Sequence, residues 1–107
     1  MEFNKFELNG TNIGQLDTEI RYCLASAKVD GCSLINFTYH AQSSKEESKI
    51  RGCIVRILRS LRAEKKLQFF VDKASYMKSS TEAEFLNNKY SSYINEDFSE
   101  NEIYVKL

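Results

Sequence analysis

The sequence of 107 residues contains no proline, no tryptophan and only four glycines, so it has little material for a glycine-rich loop that cradles phosphates. Its longest purely apolar stretches, such as 69–71, are far shorter than the roughly 20 residues that a membrane-spanning helix needs. The N-terminal segment lacks a basic start followed by an apolar core, so we expect no signal peptide. These absences predict a cytoplasmic protein with no cofactor and no membrane contact.

The sequence also has no excess of charge of either sign, because 15 basic residues balance 15 acidic ones. The mixed signs and the 42% hydrophobic content argue against a disordered chain. A chain of this length buries roughly 60–70% of the surface that its unfolded form exposes, so it folds without a disulfide or a metal. We therefore expect one domain that spans residues 1–107.

The cysteines are three in number, and no pair has the Cys-x-x-Cys spacing of a redox or zinc site. Cys23, Cys32 and Cys53 each lie among apolar residues, which favours reduced thiols in the core. Structural zinc needs about four ligands at close spacing, and His40 is the one histidine that could join them. The sequence thus predicts no metal site.

Hydrophobic spacing predicts the elements of the first half of the chain. A strand is expected over 3–8, and a helix follows it from the N-cap Asn12 to just before Gly31. Residues 33–40 alternate as a second strand. Ser43 and Ser44, each followed three residues later by a glutamate, predict a capping box for a second helix that ends near Lys65.

The second half is predicted to hold a strand over 67–72, a third helix that restarts at 79–81, and a last strand over 102–107. The third helix should carry apolar residues inward, namely Ala83, Phe85, Leu86, Tyr90 and Tyr93. Strict alternation of strand and helix predicts an α/β domain with a mostly parallel four-stranded sheet and about three helices. Periodicity carries no direction, so the last strand is expected either parallel or as an antiparallel edge.

An enzyme is one interpretation of the loops that follow the strands. Ligands of open parallel sheets gather beyond the carboxyl ends of the strands, which here are Asn9 and Gly10, His40 and Gln42, and Asp72 and Lys73. An imidazole oriented by a carboxylate is a general base, so a hydrolase-type activity would use His40 and Asp72, with Tyr76 or Lys73 as the acid or anion partner. Such residues are also ordinary for solvated loops.

A nucleic-acid interface is a second interpretation, because basic residues outnumber acidic ones over residues 49–66. Four of them fall opposite the apolar stripe of the second helix and would form a solvent-facing ridge suited to phosphates: Arg51, Arg59, Arg62 and Lys66. Charged residues on an outer helix face also serve solubility alone.

Acidic residues dominate the chain after residue 81. The tract before the last strand is either a solvated loop or a surface that presents carboxylates and aromatic anchors to a basic protein. The partner-binding residues in the second case are Tyr90, Tyr93, Glu96, Asp97, Phe98 and Glu100. We favour this interpretation, because the chain shows no coherent catalytic set.

The sequence hypothesis is therefore a small bacterial-type binding protein, not an enzyme, of the toxin-immunity or inhibitor type, which masks the basic active site of a toxin or nuclease. A homodimer is a further alternative if the outer face of the third helix or the last strand is apolar. Leu8-Asn9-Gly10 followed by a helix loosely resembles the start of barstar-like inhibitors and of Smr-type domains. Smr domains carry an Asp-x-His-Gly element where this chain has Glu7-Leu8-Asn9-Gly10, so no site residue is carried over.

Overall fold

A computed structural model describes residues 3–74, 81–90 and 100–107 of the chain. Strands and helices alternate along it as predicted, with ends that differ from the predicted ones by a few residues. The elements are β1 (Asn4–Leu8), α1 (Ile13–Val29), β2 (Leu34–Tyr39), α2 (Ser44–Ala63), β3 (Phe69–Val71), α3 (Thr81–Tyr90) and β4 (Glu102–Lys106).

The four strands form one mixed sheet in the order β1-β2-β4-β3, so the prediction of a mostly parallel sheet is wrong. β1 and β2 pair in parallel, whereas β4 runs antiparallel to both β2 and β3. The last strand is antiparallel, as one alternative had it, but it lies inside the sheet and not at an edge. Ile103, Tyr104 and Val105 are all buried, and a strand with apolar residues on both faces needs cover on both.

The two long helices pack side by side on one face of the sheet. Both begin where their caps predict: the Asn12 side chain accepts a hydrogen bond from the backbone N–H of Gln15 at 2.9 Å, and the Ser43 hydroxyl accepts one from Glu46 at 3.1 Å. Their apolar stripes cover the sheet, and the fully buried side chains of this core include Leu16, Ile20, Phe37, Ile54 and Leu58. This core holds α1 and α2 in fixed positions against the sheet.

A smaller core lies on the opposite face of the sheet. It contains Phe3, Leu34, Val71, Ala83 and Tyr104, and the rings of Phe3 and Tyr104 meet edge to face at 4.9 Å. Ala83 confirms that α3 turns this part of its surface inward. The other inward positions predicted for this helix, at 85, 86, 90 and 93, have side chains outside the described part of the chain.

The two long helices end in the same backbone motif. After α1, Gly31 donates to the carbonyl of Lys28 and Cys32 donates to that of Ala27; after α2, Lys65 and Lys66 donate to Arg62 and Leu61 in the same pattern. This Schellman motif requires a left-handed residue just past the helix, where glycine is usual. Gly31 (φ 72°) fits that rule, but the equivalent residue of α2 is Lys65 (φ 60°), whose Cβ is strained in this conformation.

We expect Lys65→Gly to stabilise the protein by about 0.5–1 kcal/mol, because it relieves this strain. For a domain of this size that free energy raises Tm by a few degrees, about 4–8 °C per kcal/mol. Thermal unfolding followed by circular dichroism measures the change. Gly31→Ala is the matched control: nothing lies within 4 Å of the added Cβ, so it should lower Tm through backbone strain alone. A Tm of Lys65→Gly at or below that of the native chain would contradict the assignment.

Candidate functional site

The carboxyl ends of three strands and the amino end of the fourth meet at one edge of the sheet. β1 is parallel to β2, and β2 and β3 are both antiparallel to the intervening β4, so β1, β2 and β3 all run in the same direction. The predicted loop starts, which follow residues 8, 39 and 71, therefore share this edge, which we call the carboxyl edge. The chain enters β4 at the same edge, through Glu100 and Asn101.

A carboxylate from α1 fixes the first loop of the carboxyl edge. Both oxygens of Glu19 accept backbone hydrogen bonds, one from Asn9 at 2.9 Å and one from Gly10. A Cβ on Gly10 would lie 2.6 Å from the nearer Glu19 oxygen and 2.9 Å from Cβ of Gln15, so the close approach requires glycine at this position. The Asn9-Gly10 pair in the sequence thus marks a loop whose backbone N–H groups donate to a carboxylate of the same chain.

A buried polar network lies at the centre of the carboxyl edge. The Tyr39 hydroxyl is 2.7 Å from Oε1 of Glu47 and also bonds to the backbone carbonyl of Glu100. Nε of Arg51 lies 3.5 Å from the same Glu47 oxygen and offsets its charge. Burial, together with the hydrogen bond to Glu47, raises the pKa of Tyr39 far above its ordinary value, so the phenol stays a neutral donor.

We expect Tyr39→Phe to destabilise the protein by about 1–3 kcal/mol, because it removes the one hydroxyl proton that the buried Glu47 carboxylate and the Glu100 carbonyl share. Chemical denaturation of the two proteins measures the loss. Tyr22→Phe is the matched control: Tyr22 is 73% exposed, so removing its hydroxyl should change stability by less than about 0.5 kcal/mol. Equal losses in the two variants would show that the network contributes nothing to folding.

His40, at the carboxyl edge, pairs with Glu7 and not with Asp72, the carboxylate that the enzyme interpretation assigned to it. Nε2 of His40 lies 3.0 Å from Oε1 of Glu7 on the neighbouring strand β1. Asp72 is buried and follows β3, which the insertion of β4 places two strand spacings, about 10 Å, from β2. The His40 and Glu7 side chains are 83% and 55% exposed, so this pair lies in solvent and not in a cleft. Tyr76 lies outside the described residues.

Of the six partner-binding residues predicted from the sequence, the structure describes Glu100 fully. Glu100 is exposed, and its backbone carbonyl bonds to the Tyr39 hydroxyl. The backbone of Tyr90 ends α3, but its side chain lies outside the described part of the chain, as do Tyr93, Glu96, Asp97 and Phe98 entirely. The C-terminal end of the acidic tract is therefore placed at the carboxyl edge, next to the Tyr39 network.

Three of the four basic residues predicted as a ridge on α2 lie close to a carboxylate in the structure. Arg51 is half-buried and turned to Glu47, and Nη2 of Arg62 bonds to Oε1 of Glu82 on α3 at 2.8 Å. Lys66 lies beyond the helix, 3.6 Å from Glu64, and Arg59 is exposed beside a shallow cavity. A helical wheel shows which residues share a face, but it does not show that a later helix supplies carboxylates to that face.

The Arg62–Glu82 bond joins α2 to α3, and its contribution to the stability of the fold depends on pH. Hydrogen bonds from its own backbone N–H and from Arg62 lower the pKa of Glu82. A lowered folded-state pKa stabilises the fold above the unfolded pKa, about 4.3 for glutamate, and this contribution is lost as pH falls through the folded value. Because the pair is partly exposed, we expect a contribution below about 1 kcal/mol.

Glu82→Gln should therefore lower Tm at pH 7 and have little effect at a pH below the folded pKa of Glu82, where the native carboxyl is itself protonated. Thermal unfolding at both pH values gives the difference. Glu84→Gln removes the same charge from the first turn of α3, but this exposed residue makes no ion pair within the described ranges, so it controls for the helix dipole. The same pH-dependent loss in both variants would contradict a specific role for Arg62.

No protein-family model, curated protein or solved structure matches this chain. Within residues 3–74, 81–90 and 100–107, no helix is long and apolar enough to cross a membrane. The same ranges contain no group of three His, Cys, Asp or Glu side chains that could hold a metal ion. The functional conclusion therefore rests on the geometry and charge of the carboxyl edge.

Proposed function

We propose that the chain is a small cytoplasmic binding protein of the immunity or inhibitor type, which neutralises a basic partner protein by docking its carboxyl edge over that partner's active site. The residues that bind the partner are four in the acidic tract between Asn95 and Glu102 and two tyrosines that precede it in the sequence: Tyr90, Tyr93, Glu96, Asp97, Phe98 and Glu100. The described part of the tract supports this proposal through its attachment to the core.

The observation that carries the proposal is the bond between the Tyr39 hydroxyl and the Glu100 carbonyl. Tyr39 is buried, and its hydroxyl also bonds to Glu47, so the end of the tract is attached to a rigid part of the fold. Two residues later, Glu102 begins a central strand. A surface held in its bound conformation loses less entropy on association, which strengthens binding without adding contacts.

The charge of the neighbouring surface also supports a basic partner. Glu7 and Glu100 both expose their side chains at this edge, and Glu46 is half-buried there in the first turn of α2. Carboxylates grouped on one face speed the association with a cationic surface and suppress the wrong partners. An acidic docking edge is thus suited to covering an active site that binds phosphate groups.

Charge reversal tests the proposal. A tagged copy expressed at native level should recover one stoichiometric basic protein at moderate salt, identified by mass spectrometry. The triple variant Glu96→Lys, Asp97→Lys and Glu100→Lys should weaken binding of that purified protein by at least about a hundredfold, since lost close charge pairs cost several kcal/mol in tight complexes. Isothermal titration calorimetry measures Kd, and circular dichroism checks that the variant is folded.

The control reverses two exposed acids at the opposite edge of the sheet, Asp30→Lys at the end of α1 and Glu64→Lys at the end of α2. This double variant should bind the partner as the native chain does. Equal affinity of the triple variant and the native chain would overturn the assignment, as would recovery of nucleic acid in place of a protein. A folded chain that binds no macromolecule and loses turnover of a substrate with His40→Ala would favour the enzyme alternative.

A further inference from the structure

A groove of about 1080 Å³ opens at the opposite edge of the sheet, between the C-terminal ends of α1 and α2. Its apolar lining includes the exposed Ala25 and the half-buried Cys32 and Leu107, together with the buried Leu24, Leu61 and Leu67. Backbone hydrogen bonds hold this lining in place, from Gln68 to Lys106 and from Leu107 to Ser33, both at 2.8 Å. The volume is that of a site for an organic molecule and not for a single ion.

The rim of the groove is cationic. Five bases line it, and among the described residues no acidic side chain does: the bases are Arg21, Lys28, Arg62, Lys65 and Lys66. Arg21 already lies 2.6 Å from Asp17, Arg62 is bonded to Glu82, and Lys66 is close to Glu64. Lys28 and Lys65 form no ion pair with any described residue, so these two ammonium groups are available to an anion.

One of these two cations, Lys65, lies at a position where its left-handed backbone is strained. Bases near a helix C-terminus favour the helix dipole, which accounts for Lys28 and Arg62 in the last turns. The dipole does not account for lysine at a backbone position where α1 has glycine, because lysine at several neighbouring positions would serve the dipole without strain. Strained residues cluster at functional sites, where their side chains have a further role.

We infer that this groove binds a phosphate monoester with an apolar body. Two separate ammonium groups match the two charges of a phosphate dianion, which lysine binds as a point charge. Ala25, Cys32 and Leu107 would contact the body of the ligand, and Lys28 and Lys65 would bind its head group. This site lies at the other edge of the sheet from the acidic tract, so it is independent of the proposed docking function.

Hexyl phosphate is the probe, with inorganic phosphate as the head alone and 1-hexanol as the body alone. Burial of two or more methylene groups corresponds to tenfold or more in affinity, so hexyl phosphate should bind at least about tenfold more tightly than either fragment. Two-dimensional amide NMR should place the shifted resonances at residues 24–33 and 61–68. Binding no tighter than inorganic phosphate, or shifts elsewhere, would overturn the inference.

Charge-removing variants separate a built site from general attraction. Lys28→Gln and Lys65→Gln should each weaken the binding of hexyl phosphate by about tenfold to a hundredfold, since hydrogen bonds to charged groups contribute that much. Lys45→Gln and Lys49→Gln, at exposed positions in the other half of α2, remove the same charge and should leave affinity unchanged. Equal weakening by all four would mean that net charge alone attracts the anion, and would overturn the site.

Two further measurements keep the inference testable if a glutamine variant does not fold. Lys65→Gly should lose affinity as Lys65→Gln does while its Tm rises, a combination that a purely structural role for this side chain would not produce. In the native chain, hexyl phosphate should slow alkylation of Cys32 in the groove lining by iodoacetamide several-fold, with the half-buried Cys53 as the internal reference. Unchanged alkylation of Cys32 at saturating ligand, or displacement of hexyl phosphate by a second copy of this chain or by an oligonucleotide, would overturn the assignment.

Discussion

The pairing of β4 with β2 on one side and β3 on the other is the constraint on which the rest of the structure depends. Tyr104 lies opposite Asn36 of β2 and Val71 of β3, so one residue of the last strand aligns both neighbours. β3 has three residues and reaches the rest of the sheet through β4. Both cores also need this strand, because Ile103 and Val105 enter the larger one and Tyr104 the smaller. These contacts join parts of the chain that are distant in sequence, so the four-stranded sheet is complete only when β4 is in place.

Local features of the fold could be predicted from the sequence because their signals are local. The caps Asn12 and Ser43 and the glycine after α1 each act within a few residues of a helix end. Strand order could not be predicted, since alternation indicates which face a side chain occupies and not which strand lies beside it. One signal for the position of β4 was present: the unbroken apolar run 103–105 is typical of a strand that is covered on both faces.

The candidate site could be predicted as a place but not as a set of contacts. Three parallel strands bring their loops to one edge whatever their order, which is why the edge was predictable. The partners across that edge depend on the order: the pairing of β1 with β2 places His40 beside Glu7, and the insertion of β4 separates His40 from Asp72. The Tyr39 network had a partial signal, since Glu47 and Arg51 are four residues apart on a helix and a buried phenol needs a hydrogen-bond partner.

The opposite charges of the two edges follow from the topology of the chain. The helices α1 and α2 each start at the carboxyl edge and end at the opposite edge of the sheet. The helix dipole favours acidic residues where α2 starts and basic residues where α1 and α2 end. A chain with no net charge thereby acquires an acidic edge and a basic groove. The dipole accounts for residues inside the helices, and the Schellman motif accounts for a left-handed residue after each of them. Neither accounts for lysine at position 65, where glycine would satisfy the motif without strain, so the reason for a cation there is to be sought in the groove that it lines.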